Sequence, residues 1–215
     1  MNSTQFECIF WDFGGVFTGS PFYATDNYSK QLGIETQELT KLVLGYGLED
    51  GEHHWHKLER GEISLKHATK EIISSVENSG IKGFEIRDFF KSIGGASNTT
   101  AAMFNAVRRF KEMGLAQYIL SNNIREFSSS WKSMLPENLF DGIIDSSEVG
   151  ARKPNPEIFA LALQVSGLPA AKTVFLDDYP EHVTVASSLG IKSIHVGPNP
   201  LDAVSELESL LINEI

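Results

Sequence analysis

Cysteine is the scarcest residue of this 215-residue chain: Cys8 stands alone, and one thiol cannot close an internal disulfide framework. That scarcity fits a reducing compartment, and the cytoplasm is the expected location. No apolar run reaches the ~18–20 residues that a membrane span needs, and neither end carries a signal-peptide pattern, so no membrane is expected as partner. Positive charge is also short. Eighteen Lys and Arg stand against 28 Asp and Glu, giving a net charge of −10 and a pI near 5.1. With no basic face evident, nucleic acid and anionic membrane are both disfavoured. Internal repeats and low-complexity segments are missing. What remains is a length sufficient for one sizeable α/β core with a modest insertion.

Four segments carry the chemistry. In Glu7-Cys8-Ile9-Phe10-Trp11-Asp12-Phe13-Gly14-Gly15, an apolar stretch of strand length ends on a carboxylate, and a glycine pair turns the backbone. That puts Asp12 at the carboxyl end of a buried strand, where open α/β sheets bind ligands. A strand-ending Asp that merely caps the turn is the plainer alternative for this segment alone. Gln117-Tyr118-Ile119-Leu120-Ser121-Asn122-Asn123 is a second such run, ending in a hydroxyl and two amides. Val149-Gly150-Ala151-Arg152-Lys153-Pro154-Asn155-Pro156 sets a cation ahead of a proline-delimited helix start. Thr173-Val174-Phe175-Leu176-Asp177-Asp178 is a third strand, ending in adjacent acids. In a parallel sheet these ends share one edge, so an Asp, a Ser, a Lys and an Asp pair converge on one crevice.

Asp12 with the Asp177-Asp178 pair forms a hard oxygen-ligand set suited to Mg²⁺, and a divalent cation explains why repelling carboxylates coexist. Lys153 and the Ser121 hydroxyl suit an anion carrying several oxygens. Metal, cation, hydroxyl and carboxylate nucleophile together point to phosphoryl transfer through an aspartyl-phosphate.

The ordered set DFGGV, LSNN, GARKPNP and VFLDD resembles the four motifs of the haloacid dehalogenase-like (HAD) hydrolases, over nearly the whole chain, from Glu7 to about Val196. The resemblance implies that Asp12 is the nucleophile and that Ser121, Asn122 and Lys153 bind the phosphoryl group. It implies a metal held by Asp12, by the Gly14 carbonyl and by Asp178, with Asp177 in the shell behind it. Within the family, DFGGVFTGSPF, ERGEIS, RKPNPEIF and FLDDYPEHV look most like the group resembling the N-terminal phosphatase domain of soluble epoxide hydrolase. One departure matters. Family phosphatases usually carry an aspartate two residues after the nucleophile, as general acid and base, and here that residue is Gly14. General acid–base help is typically worth ~10²–10⁴ in rate, so a proton donor from elsewhere or a good leaving group is expected. One cap histidine facing the site is a candidate donor.

Periodicity predicts helices over 22–32, 36–44, 51–60, 64–75 and 84–93, then one over 99–113. From there strands at 117–120, 142–145, 173–176 and 191–196 alternate with helices at 126–134, 156–166, 180–189 and 201–213. Alternation of this kind implies parallel βαβ units. The expected fold is therefore α/β, a Rossmann-like parallel sheet core over residues 1–17 and 95–215. A small α-helical cap, residues 18–94, is inserted after the first strand, with Gly14-Gly15 and Gly94-Gly95 as its linkers.

In the cap, His53-His54-Trp55-His56 is read as a solvated helix face with Trp55 packed inward. Arg60 could reach a substrate anion, and Phe22, Tyr23, Tyr46 and Trp55 are candidates to line a pocket. The leading functional expectation is a Mg²⁺-dependent phosphatase acting on a small phosphorylated metabolite. A 2-haloacid dehalogenase-type hydrolase is one alternative, opposed by the paired acids at Asp177-Asp178. A catalytically weak phospho-ligand binding protein is the other, opposed by the joint retention of Asp12, Ser121, Lys153 and Asp178.

Overall fold

The computed structural model describes residues 6–93 and 97–212, with side chains at all of these except Phe22 and Tyr23. Five strands form one fully parallel sheet: β1 (Cys8–Trp11), β2 (Ala116–Ser121), β3 (Gly142–Asp145), β4 (Thr173–Asp177) and β5 (Lys192–His195). Their order is β3-β2-β1-β4-β5, so the chain reverses its direction of travel across the sheet between β1 and β4. A crevice opens beyond the strand ends at such a reversal. The α/β Rossmann-like expectation is met.

Strand alternation gives the sheet two apolar faces, each needing cover. Ile9, Trp11, Val174 and Leu176 pack with Met103, Val107 and Phe110 of α7 (Thr100–Glu112) and with Val204 and Leu207 of α12 (Pro200–Ile212). Cys8, Phe10, Leu120 and Phe175 face the other way, onto Ile158 and Phe159 of α10 (Pro156–Ser166) and Ala186 of α11 (Pro180–Ser188). The Cys8 thiol is buried, and desolvation pushes its pKa up to about 12, so it packs as an inert apolar group.

Between β1 and α7 the chain is helical: α1 (Pro21–Ala24), α2 (Asp26–Leu32), α3 (Thr36–Leu44), α4 (His54–Glu59), α5 (Leu65–Asn78) and α6 (Ile86–Ile93). These helices bury a cluster of their own, with Leu39, Val43, Leu58, Ile72, Val76 and Phe89 at its centre. No helix among the described residues is long and apolar enough to cross a membrane.

Local chemistry moved several boundaries. The helix expected over 22–32 breaks into α1 and α2 at Thr25, whose hydroxyl donates to the Pro21 carbonyl at 2.6 Å. The one expected over 51–60 begins only at His54, because His53 serves as its N-cap: its Nδ1 accepts the Trp55 N–H at 3.2 Å. A one-turn helix, α9 (Ser146–Val149), follows β3 where none was expected, capped by Asp145 through the Ser147 N–H at 3.0 Å. The Gly94-Gly95 linker and the Phe22 and Tyr23 side chains lie outside the described residues.

Candidate active site

Asp12 follows β1 and is held to the neighbouring strand by its own N–H, which donates to the Leu176 carbonyl at 2.9 Å. Lys153, 1% exposed, arrives from the loop before α10 and donates to three acceptors: Asp12 Oδ1 at 2.8 Å, Asp177 Oδ2 at 2.6 Å and the Leu120 carbonyl at 2.8 Å. Its ammonium also lies 5.3 Å from the centre of the Phe175 ring. Burial works against the charge on Lys153, but Asp12 and Asp177 outweigh it and raise the pKa, so it stays protonated.

The adjacent acids differ in their surroundings. Asp177 is fully buried and both its oxygens are engaged. Oδ1 accepts the Tyr179 N–H at 2.8 Å, Oδ2 accepts Lys153, and His182 Nδ1 donates to the pair at 3.0 and 3.1 Å. Burial alone would raise its pKa; His182 and Lys153 reverse that and hold it well below the carboxylate range. Asp178 Oδ2, by contrast, is buried without a hydrogen-bond partner. Burial, then the charges of Asp177 and Asp12, drive the Asp178 pKa well up. Burial likewise raises Asp12, against the pull of Lys153. One oxygen from each of Asp12, Asp177 and Asp178 lies within 4.8 Å of the others. Such a set, all hard oxygens with one orphaned, fits a hard divalent cation.

The glycine pair behaves asymmetrically. Gly14 has an ordinary φ, and a Cβ there would meet nothing closer than Asp12 Oδ2 at 3.9 Å. Gly15 sits at φ 72°, where a Cβ would fall 2.0 Å from Asp178 Oδ2. The backbone approaches Asp178 closely because Gly15 has no side chain.

Ser121 ends β2, almost fully buried. Asn122 is engaged structurally: its Oδ1 accepts the Lys153 N–H and its Nδ2 donates to the Lys153 carbonyl, both at 2.8 Å. Above Asp12 lies a cavity of about 130 Å³. Its floor is Asp12, Gly14, Asn122, Lys153 and His182; its walls are Pro21, Leu44, Tyr46, Trp55, Glu59 and Ile93.

A family model for haloacid dehalogenase-like hydrolases matches residues 6–190. The chain belongs to the haloacid dehalogenase-like hydrolases. A sesquiterpene phosphatase of Aspergillus oryzae, astK, is 30% identical across 97% of this chain and 98% of its own length. Mouse acyl-CoA dehydrogenase family member 10 is 30% identical over 96% of this chain, which spans only 19% of that protein. Among solved structures, a mutant HAD family enzyme from Bacteroides thetaiotaomicron, in complex with magnesium and inorganic phosphate, superposes with a TM-score of 0.64. It shares 18% identity, over 90% of this chain and 95% of that one.

Within this HAD-like hydrolase, the histidines at 53, 54 and 56 depart from the expected solvated face. His56 is 1% exposed and its Nε2 donates to the Gly45 carbonyl at 3.1 Å; His53 Nε2 donates to Leu42 at 3.2 Å. Neither borders the cavity, and nor does His54. Tertiary contact decided this: the His53 and His56 imidazoles both hydrogen-bond to backbone carbonyls at the α3 end. Arg60 does not reach the cavity either. Its guanidinium pairs with Asp50 and Glu62, both at 2.6 Å, and donates to the Gly51 carbonyl. The arginine that does matter near the site is Arg152, unremarked in the sequence except as Lys153's neighbour. It is 2% exposed, pairs with Glu59 at 2.7 Å and approaches Asp50 at 3.3 Å. Glu59 in turn accepts the Trp55 indole N–H at 2.8 Å. His182 was also missed. Adjacent acids two and three residues upstream of a proline-started helix carry no local sign that a histidine in its first turn will bond back to the first of them.

Proposed function

We propose that this chain is a Mg²⁺-dependent phosphatase that hydrolyses a small phosphorylated metabolite through an aspartyl-phosphate on Asp12. The observation that carries the reading is the division of labour between the two adjacent acids. Asp177 is saturated by Lys153, His182 and a backbone N–H, while Asp178 keeps a buried oxygen with no partner. Asp12, the Gly14 carbonyl and Asp178 would hold the ion, which would supply positive charge against the phosphoryl oxygens. A haloacid hydrolase has no use for that orphaned oxygen. The relative named a phosphatase over its whole length, and the fold shared with an enzyme holding magnesium and phosphate, support the same reading.

In this mechanism Asp12 attacks phosphorus, and the leaving alcohol departs as its P–O bond breaks. Water then attacks phosphorus, releasing inorganic phosphate and restoring the carboxylate. Lys153 has two roles, orienting Asp12 and neutralising the phosphoryl oxygens. Ser121 donates a further hydrogen bond to them, and Asn122 holds Lys153 in register through its backbone. The helical segment 18–94 acts as a cap over the core of 1–17 and 95–215. Pro21, Leu44, Trp55 and Ile93 present apolar surface, and the buried Glu59 is neutralised by Arg152. The cavity walls thus favour an uncharged, largely apolar alcohol moiety.

The test is phosphate release from a panel of monoesters with Mg²⁺, with EDTA, and for Asp12→Asn. Turnover should vanish with EDTA and with the near-isosteric amide, with folding intact by circular dichroism. Hydrolysis by the folded Asn variant would reject Asp12 as nucleophile. Halide release from a haloacid, unaffected by EDTA, would favour the dehalogenase alternative.

A further inference from the structure

The first motif leaves this chain without an acid at Gly14, and the cap histidines do not border the cavity. The donors that do border it are mostly committed. Lys153 serves three acceptors, Asn122 serves the Lys153 carbonyl, and the Trp55 indole serves Glu59. His182 directs its Nδ1 proton to Asp177, and burial lowers its pKa to about 4, which leaves the unpartnered Nε2 without a proton to give; Glu59 is paired to Arg152. Among the described residues, the wall also contains the phenol of Tyr46. We propose that the Tyr46 hydroxyl meets the leaving-group oxygen and supplies the proton that Gly14 cannot. This inference rests on the phosphatase reading above.

Tyr46 is placed with unusual firmness for a loop residue. Gly45 and Gly47 on either side adopt φ of 71° and 74°, so the chain doubles sharply around it. A Cβ at Gly45 would lie 2.4 Å from His56 Nε2 and 2.8 Å from His53 Nδ1, so the turn is packed directly onto the two histidines. His56 holds the Gly45 carbonyl and His53 holds Leu42 at the end of α3. From the core side, the Tyr179 ring stacks on Tyr46 at 4.8 Å and 30°, while the Tyr179 hydroxyl accepts the Gly47 N–H at 2.8 Å. The histidine-rich stretch thus acts as a brace for the turn that presents the phenol. Both the cap and the segment after Asp178 must be in place for the ring to stand where it does.

The chemistry is consistent with that placement. Burial, and then the charges of Glu59, Asp178 and Asp12, raise the Tyr46 pKa, so the hydroxyl holds its proton at neutral pH. A leaving alkoxide, the conjugate base of an acid about as weak as water at ~15.7, is a strong proton acceptor. A hydroxyl turns about its C–O bond and can redirect its proton to an arriving acceptor. As Asp12 bonds to phosphorus, the P–O bond to the alcohol breaks. Its electron pair stays on the leaving oxygen, which takes the Tyr46 proton. The phenolate then takes a proton from the water that attacks the aspartyl-phosphate, and the Asp12 carboxylate and inorganic phosphate are released. Both partners return to their starting states.

The experiment compares wild type with Tyr46→Phe, in Mg²⁺, on aryl and alkyl phosphates spanning a range of leaving-group pKa. The phenyl ring keeps the stack on Tyr179, so the melting temperature should hold. Alkyl phosphates should lose about 10²–10⁴ in kcat/KM and acidic aryl phosphates no more than about threefold, steepening the leaving-group dependence. Equal losses on both classes, or none on either, would overturn the role of Tyr46 while wild-type turnover kept the phosphatase reading. A wild type that released phosphate from no ester would overturn both.

Discussion

At the scale of single residues, the adjacent glycines after Asp12 have separable meanings. Gly14 marks a missing acid at a position with ordinary backbone and open space; Gly15 is required by close approach to Asp178. Gly15→Ala combines a left-handed φ with a steric overlap, and should cost about 1–3 kcal/mol in urea unfolding. Calorimetry should also show weaker Mg²⁺ binding, since Asp178 must move. Gly14→Asp should fold normally and make hydrolysis less sensitive to leaving-group pKa. A Gly15→Ala protein with unchanged stability and Mg²⁺ affinity would show that the contact is relaxed in solution. The residues legible in the sequence were those at strand ends, Asp12, Ser121 and the 177–178 pair, because a strand's terminus fixes where its last side chain stands. Which acid of the pair keeps an open oxygen was not legible in the residue pattern itself; only the family resemblance pointed to Asp178. The choice depends on His182 and Lys153, placed by other elements.

At the scale of elements, α4 shows how a short helix can be misjudged from composition. His53-His54-Trp55-His56 has the polarity of an exposed face, yet His53 caps the helix and His56 is buried against the α3–α4 turn. Desolvation, with repulsion from Arg152 and His53, lowers the His56 pKa from 6.5 to about 3. Folded, His56 stays neutral; unfolded, it takes a proton once pH falls below 6.5. Its contribution is therefore complete above about pH 6.5 and is lost as pH falls from there toward 3. The slope should approach about 1.4 kcal/mol per pH unit. His56→Asn, which keeps a donor for the Gly45 carbonyl, should lack that component in denaturant titrations at pH 7, 6 and 5. Parallel pH profiles for the two proteins would mean that His56 is hydrated in the native state. Helix 36–44 and helix 156–166, by contrast, were predicted to the residue, because glycine stops mark both and proline starts the second.

At the scale of the molecule, the helical segment and the sheet are joined at the site by charge buried between them. Arg152, beside Lys153, reaches Glu59 at a separation of 93 residues. Glu59 carries the Trp55 indole, so the cavity wall and the loop that carries Lys153 share one ion pair. Arg152→Met should cost about 3–5 kcal/mol by leaving a buried carboxylate unpaired, less whatever Glu59 recovers by taking a proton. Adding Glu59→Leu should restore much of the loss. Strictly additive effects in that double-mutant cycle would show that the two side chains do not act as a pair. The α/β class, the strands, the helical block between β1 and α7 and the residues at the strand ends were all legible in the amino-acid order. All of these depend on periodicity and on short-range backbone chemistry. The tertiary structure alone decided which acid stays open, which histidines are buried and which arginine pairs across to the helical block. Each of those depends on distances between side chains far apart in the chain, and hydrophobic patterning specifies that two surfaces meet without specifying which polar groups on them come within hydrogen-bonding reach.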